Sequence, residues 1–149
     1  MRVLITGMSG TGKSSALFEL ARRGYAVVDT DDDGWTVKGL WDERRMLSLL
    51  STQTLEPLFV SGCVENQGGF YPMFDAIVLF SAPKEVMLER IVSRTSNDFG
   101  KTADEREKIL SDLELVEPLL RATATLEIDT QIPLSEVVER VLAIARLET

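Results

Sequence analysis

Hydrophobic residues in this chain alternate between two arrangements. Short unbroken runs, as in Val3-Leu4-Ile5, Leu58-Phe59-Val60 and Ala76-Ile77-Val78-Leu79-Phe80, read as strands buried on both faces. Tyr25-Ala26-Val27-Val28 and Leu126-Glu127-Ile128-Asp129 are two further candidate strands. Between them, apolar positions recur every three or four residues. Ala16, Leu17, Leu20 and Ala21 predict a helix over 13–23 that stops at Gly24. Residues 43–50 predict a second helix, and Val86, Met87, Ile91 and Val92 form the inward face of a third that ends near Arg94. Thr102-Ala103-Asp104-Glu105 has the form of a capping box opening a long helix through Ile109, Leu113, Val116 and Leu120, which Pro118 is expected to bend or interrupt. Residues 135–147 complete the series. Strands alternating with helices imply an α/β fold: a three-layer α/β/α arrangement with a five-stranded parallel sheet.

At 149 residues the chain fits a single domain, 1–149, with one compact fold. Hydrophobic residues make up 44% and charged residues 27%, an ordinary globular balance. No apolar run approaches the roughly 20 residues that cross a bilayer, and the first strand begins at the second residue, so no signal peptide is expected. The single cysteine, Cys63, cannot form an internal disulfide, and the expected location is the cytoplasm. A net charge of −8 opposes duplex nucleic acid and anionic membrane as partners. A small molecule is the expected partner, bound by a monomer or homodimer. The sequence has no histidine, so a general base must be a carboxylate.

One segment carries a specific chemistry. Gly7-Met8-Ser9-Gly10-Thr11-Gly12-Lys13-Ser14 matches G-x-x-x-x-G-K-[ST] between a buried strand and a helix. Glycines let backbone N–H groups wrap an anion, and the helix start adds its own unsatisfied donors. Gly7, Ser9, Gly10, Thr11, Gly12, Lys13, Ser14 and Ser15 are therefore candidate nucleotide-binding residues. Lys13 is expected at the β- and γ-phosphates and Ser14 at magnesium. ATP and Mg²⁺ are the cofactors implied.

Asp29-Thr30-Asp31-Asp32-Asp33 follows the second strand at the edge where open parallel sheets bind ligands. A carboxylate there can accept a proton from an attacking hydroxyl or hold a metal-bound water. Asp29 and Asp31 would point the same way if the strand continued through them. The P-loop, short helix and strand ending in Asp-Thr-Asp resemble shikimate kinases and their relatives, the gluconate and nucleoside monophosphate kinases. The resemblance places Asp29 and Asp31 at the metal and the acceptor hydroxyl. It also places the loop after Ile128-Asp129-Thr130, with Pro133, beside the adenine ring. The chain has Ser61-Gly62-Cys63 where shikimate kinases have a glycine triplet, it has no clear counterpart of their Phe-Arg-x-x-Glu arginine although Arg44 and Arg45 lie nearby, and it lacks the Asp-Gly-x-Pro-Arg of adenylate kinases. The acceptor stays open.

Glu65, Asn66 and Gln67, at the exit of the third strand, offer polar contacts to an acceptor, and Trp35, Trp41, Phe70 and Tyr71 can line a pocket or pack the core. Arg90 and Arg94 lie four apart on one helix face and lead into a short arginine-bearing lid, approximately residues 95–105, with Arg106 beyond it and Phe99-Gly100 at its tip. Cations arriving over the phosphates would neutralise developing charge, with Arg94 first and Arg90 beside it. Lys13, Asp29, Asp31 and Arg94 are thus the expected catalytic set, and Ser14 with Asp29 the metal set. The expected activity is ATP- and magnesium-dependent transfer of a γ-phosphoryl group to a small metabolite or nucleotide. The alternative is a nucleotide-binding regulatory protein or NTPase without an acceptor. The strand ending Phe59-Val60-Ser61 lacks the carboxylate of AAA-type motors, and no Asn-Lys-x-Asp motif is present.

Overall fold

The computed structural model describes residues 1–52, 55–94 and 100–147. Strands β1 (Arg2–Thr6), β2 (Ala26–Asp29), β5 (Leu58–Ser61), β6 (Ala76–Ser81) and β7 (Leu126–Asp129) form one sheet, in the order β2-β5-β1-β6-β7. Every pair in it is parallel. β1, which leads into the glycine-rich loop, is therefore central.

Each strand divides its side chains between the two faces. Val3 and Ile5, with Phe59, Ala76, Val78 and Phe80, pack under α1 (Lys13–Arg22) and α5 (Leu134–Leu147). Leu4, Val60 and Ile77 face the other way, onto α2 (Glu43–Ser51) and a 3₁₀ helix at Gln67–Met73. On that same side Leu79 meets Met87 of α3 (Lys84–Ser93) and Leu120 of α4 (Ala103–Thr123). The three-layer architecture with five parallel strands is as the sequence implies.

α1 stops where expected. Gly24 (φ +94) takes the left-handed position, with Gly24 N–H donating to Ala21 O and Tyr25 N–H to Leu20 O, which closes a Schellman motif. Thr102 and Glu105 form the capping box of α4 reciprocally. Three features go against or beyond the sequence reading. α4 runs through Pro118 to Thr123 as one helix, so the proline does not interrupt it. Val92 is half exposed, because the apolar stripe of α3 is narrow and only Met87 and Ile91 are buried. The polar stretch after β2 contains a hairpin of two short strands, β3 (Thr36–Val37) and β4 (Leu40–Trp41).

The lid assigned to residues 95–105 falls partly on 95–99, including Phe99, which lie outside the described residues. Gly100 is not an exposed tip. It is buried, and a Cβ there would lie 2.4 Å from Ile91 Cγ2 and 2.9 Å from Ile109 Cδ1, so the chain packs between α3 and α4 at that point. No helix among the described residues is long and apolar enough to cross a membrane.

Candidate functional site

The glycine-rich loop is shaped by packing below it as much as by its own sequence. Gly7 (φ +148) has no room for a side chain, since a Cβ would stand 2.4 Å from Phe80 O. Gly10 (φ +83) presses on α3, with a Cβ position 2.7 Å from Met87 O. Gly12 (φ +95) caps α1 in the left-handed conformation without a side-chain cap, and no acidic residue occupies the first turn. The helix start thus keeps its N–H groups and positive dipole end for an anion.

Several of the loop's carbonyls are hydrogen-bonded within the protein. Lys13 Nζ donates to Gly7 O at 2.6 Å and Met8 O at 3.1 Å. The buried Thr11 hydroxyl donates to Met8 O at 2.7 Å. Burial pushes the Lys13 ammonium below its ordinary pKa, opposed by Cys63, Asp31 and Asp29 nearby.

A cavity of about 480 Å³ opens over the loop. Ser9, Gly10, Gly12, Lys13, Ser14 and Ser15 form its floor. Asp31, Arg90, Arg94 and Thr130 also line it, together with the apolar Ile132, Leu134 and Val137. Its size and its mixed polar and apolar lining suit a nucleotide. Burial and the neighbouring Asp29 charge raise the Asp31 carboxyl above the ordinary aspartate range, against the pull of Lys13. Arg94, just past the end of α3, is lowered by burial and held up by Asp31.

Asp29 and Asp31 do not share a direction. The strand ends at Asp29, Asp32 N–H bonds back to Asp29 O, and the turn sends the two carboxylates to different places. Asp29 accepts from Ser14 Oγ at 3.0 Å and from Asp31 N–H at 3.0 Å, and it borders a second, open groove with Asp32 and Trp35. Asp31 faces the main cavity. A hydroxyl and a carboxylate held together beside a phosphate cradle are a fitting donor pair for a hard cation such as magnesium. Among the described residues no cluster of three His, Cys, Asp or Glu side chains could hold a metal unaided, so such an ion needs phosphate oxygens as well.

Several expected residues lie elsewhere. Gly7 and the Thr11 side chain shape the loop from beneath: Gly7 has no room for a Cβ, and the Thr11 hydroxyl is turned to Met8 O. Pro133 is exposed; its carbonyl accepts from Glu136 and Val137 N–H at the start of α5, while its neighbours Ile132 and Leu134 reach the cavity. Arg106 does not line the cavity. Arg90 does, with three of its five N–H donors directed to Gly10 O, Thr130 O and the Thr130 hydroxyl at 2.7–3.2 Å.

At the β5 exit Glu65 is exposed, while Asn66 and Gln67 serve the structure. Asn66 pairs with the Trp41 backbone in both directions, and Gln67 is buried, bonding Thr6, Tyr71 and Val64. Trp41 is core: its indole N–H donates to Thr30 Oγ1 at 2.9 Å and its ring meets Phe70 edge-on. Gly62 is required beneath it, because a Cβ would stand 2.2 Å from Thr30 Oγ1. Arg45 stacks 4.0 Å over the Trp35 ring and donates to Gly34 O. Thr130 and Ile132 lie in or beside the loop that the resemblance places at the adenine ring, and they line the cavity together with Leu134 and Val137 of the last helix.

Comparison with known proteins agrees with this geometry. The sequence profile of the AAA domain family matches residues 3–111. A protein of Archaeoglobus fulgidus named "Putative adenylate kinase" is 30% identical over 148 residues, covering 98% of this chain and 83% of that one. Among solved structures, the shikimate kinase from Acinetobacter baumannii in complex with shikimate superposes with a TM-score of 0.70 at 18% identity, covering 99% of this chain and 94% of its own. A gluconokinase from Sinorhizobium meliloti 1021 gives 0.65 at 23% identity, covering 98% and 92%.

Proposed function

Because the chain belongs to the AAA domain family and, within the P-loop proteins, to the small-molecule kinases, we propose that it transfers the γ-phosphoryl group of ATP, with magnesium, to a small metabolite or nucleotide. One observation carries this reading. A phosphate cradle and a second carboxylate, Asp31, facing an arginine share one cavity, so donor and acceptor chemistry meet in the same space. A mere nucleotide switch has no use for that second wall.

The N–H groups of the loop and of the α1 start hold the β-phosphate, and Lys13 leaves the Gly7 and Met8 carbonyls to reach the β- and γ-phosphates. Ser14 and Asp29 would hold magnesium, which supplies charge neutralisation across the phosphate oxygens when bound. Asp31 would take the acceptor proton, and its pKa, raised by burial and by the neighbouring Asp29, makes it a stronger base than an ordinary aspartate. In the transfer the acceptor O–H bond breaks and its proton passes to the Asp31 carboxylate. The acceptor oxygen bonds the γ-phosphorus as the bridging oxygen departs with ADP. Arg94 neutralises charge on the moving group.

The test is ATP consumption over a panel of acceptors beginning with AMP, shikimate and gluconate, with Lys13→Ala as blank. Asp31→Asn should bind ADP as the parent does and lose transfer. ATP turnover unaffected by any acceptor would instead favour an NTPase, and loss of ADP binding in Asp31→Asn would make Asp31 a structural residue.

A further inference from the structure

Arg90 stands four residues before Arg94 and borders the same cavity, which invites the reading that both grip phosphate. Its hydrogen bonds point elsewhere. Nη1 donates to Gly10 O at 3.2 Å and to Thr130 Oγ1 at 2.8 Å, and Nη2 donates to Thr130 O at 2.7 Å. The Thr130 hydroxyl, accepting from Arg90, donates in turn to Thr11 O at 2.8 Å. Thr130 is buried, and its own N–H is fixed to Ser81 O at 2.9 Å. Arg90 and Thr130 therefore take hold of two successive carbonyls of the glycine-rich loop.

A trans peptide unit is planar, with its C=O and N–H on opposite sides. Holding a carbonyl on one side thus fixes the N–H of the next residue on the opposite side. Gly10 O, held by Arg90, directs the Thr11 N–H, and Thr11 O, held by Thr130, directs the Gly12 N–H. Gly10 and Gly12 both have positive φ, so this segment has the freedom to let those peptide planes rotate. We propose that Arg90 is a positioning residue that, through Thr130, fixes the Thr11 and Gly12 N–H groups toward the phosphate and so preorganises the anion nest. The same junction ties the exits of β6 and β7 to the loop, so one knot of hydrogen bonds joins these parts of the cavity lining. The inference rests on the nucleotide-binding reading above and assigns Arg90 a different role from a phosphate ligand.

The test compares the parent protein with Arg90→Met, Arg90→Lys and Thr130→Val, titrated calorimetrically with ADP and with inorganic pyrophosphate. Arg90→Met should weaken both probes alike, by about tenfold or more, the loss expected when a donor to a charged group is misdirected. Arg90→Lys, able to reach one carbonyl, should restore part of that loss. Thr130→Val should weaken both probes and combine with Arg90→Met by less than the product of the single effects. In ¹⁵N spectra of the ligand-free variants, the Thr11 and Gly12 amides should shift while amides of β1 stay in place. A merely structural role would lower thermal stability without that selective shift. Weakened ADP with unchanged pyrophosphate would mean that Arg90 acts on the base, and unchanged binding of both would mean no positioning; either overturns the proposal. Failure of the parent protein to bind either probe would overturn the nucleotide-binding reading itself, and this inference with it.

Discussion

Replacing Gly10 by alanine tests whether the loop is held in shape by contact with α3. Two separate costs arise. At φ +83 an alanine backbone is displaced into the left-handed region, at about 1–2 kcal/mol. The new Cβ would also stand 2.7 Å from Met87 O and 3.1 Å from Ile91 Cγ1 and Cδ1. Close carbon–oxygen contacts settle at about 3.3 Å or more, so helix or loop must yield by roughly half an ångström. Relief of such crowding costs about 1–3 kcal/mol, giving a total of about 2–5 kcal/mol. The controls are built into the chain. Gly24 (φ +94) and Gly12 (φ +95) have similar backbones, but a Cβ at either meets nothing within 4 Å. Gly24→Ala and Gly12→Ala should therefore show the conformational cost alone, about 1–2 kcal/mol. Urea unfolding with unchanged m-values gives all three numbers, and each kcal/mol should move Tm by roughly 2–4 °C. Gly12→Ala should also impair ADP binding, which Gly24→Ala should leave alone. If Gly10→Ala proves no more destabilising than Gly24→Ala, the loop does not rest on α3 as described.

Asp31→Asn should stabilise the ligand-free protein at neutral pH. Since the folded state raises the Asp31 pKa, it holds that proton more tightly than the unfolded chain does. The favourable contribution is present at low pH and is lost as pH rises through the folded value, leaving the ionised carboxylate a burden at pH 7. Melting curves should show the gap between variant and parent closing on acidification; a gap independent of pH would contradict the assigned shift. Ser14→Ala should raise the magnesium needed for half-maximal activity about tenfold or more, while ADP binding without metal changes little; equal losses in both would show that Ser14 acts on phosphate alone. Trp41→Phe removes the donor to Thr30 Oγ1 in a buried setting and should cost about 1–3 kcal/mol by denaturant titration, and a neutral result would mean that the indole N–H contributes nothing there.

The parts of the fold and site legible in the sequence are those whose cause is local. A buried strand, a glycine turn and a helix start occupy adjacent positions around Gly7–Ser14, so loop geometry follows from neighbours in the chain. The capping box at Thr102 and the stop at Gly24 are local in the same way. The β3–β4 hairpin escaped because its strands are two residues each and its turn is Lys38-Gly39, with Lys38 at φ +53, rather than an Asn-Gly or Asp-Gly that would announce positive φ at both positions. The divergence of Asp29 and Asp31 depends on a turn that ends the strand at Asp29, two residues short of Asp31, where alternation would need it to continue. Arg90 is the clearest case of long-range cause. Its charge and helical spacing are visible, but its partners lie 80 and 40 residues away, and only the sheet order brings β7 alongside β6 and the loop. Leu134 and Val137 likewise look like ordinary helix entry until folding brings them to the cavity.

The hydrogen-bonded knot at Thr130 also limits how this scaffold can be recombined. Segments from three distant stretches of chain close on a single hydroxyl, so a chimera that imports the last strand and helix from a relative inherits half a joint. Exchange at this boundary should succeed only when the residues at 90 and 130 travel as a matched pair, and libraries built by shuffling should show those two positions surviving selection together.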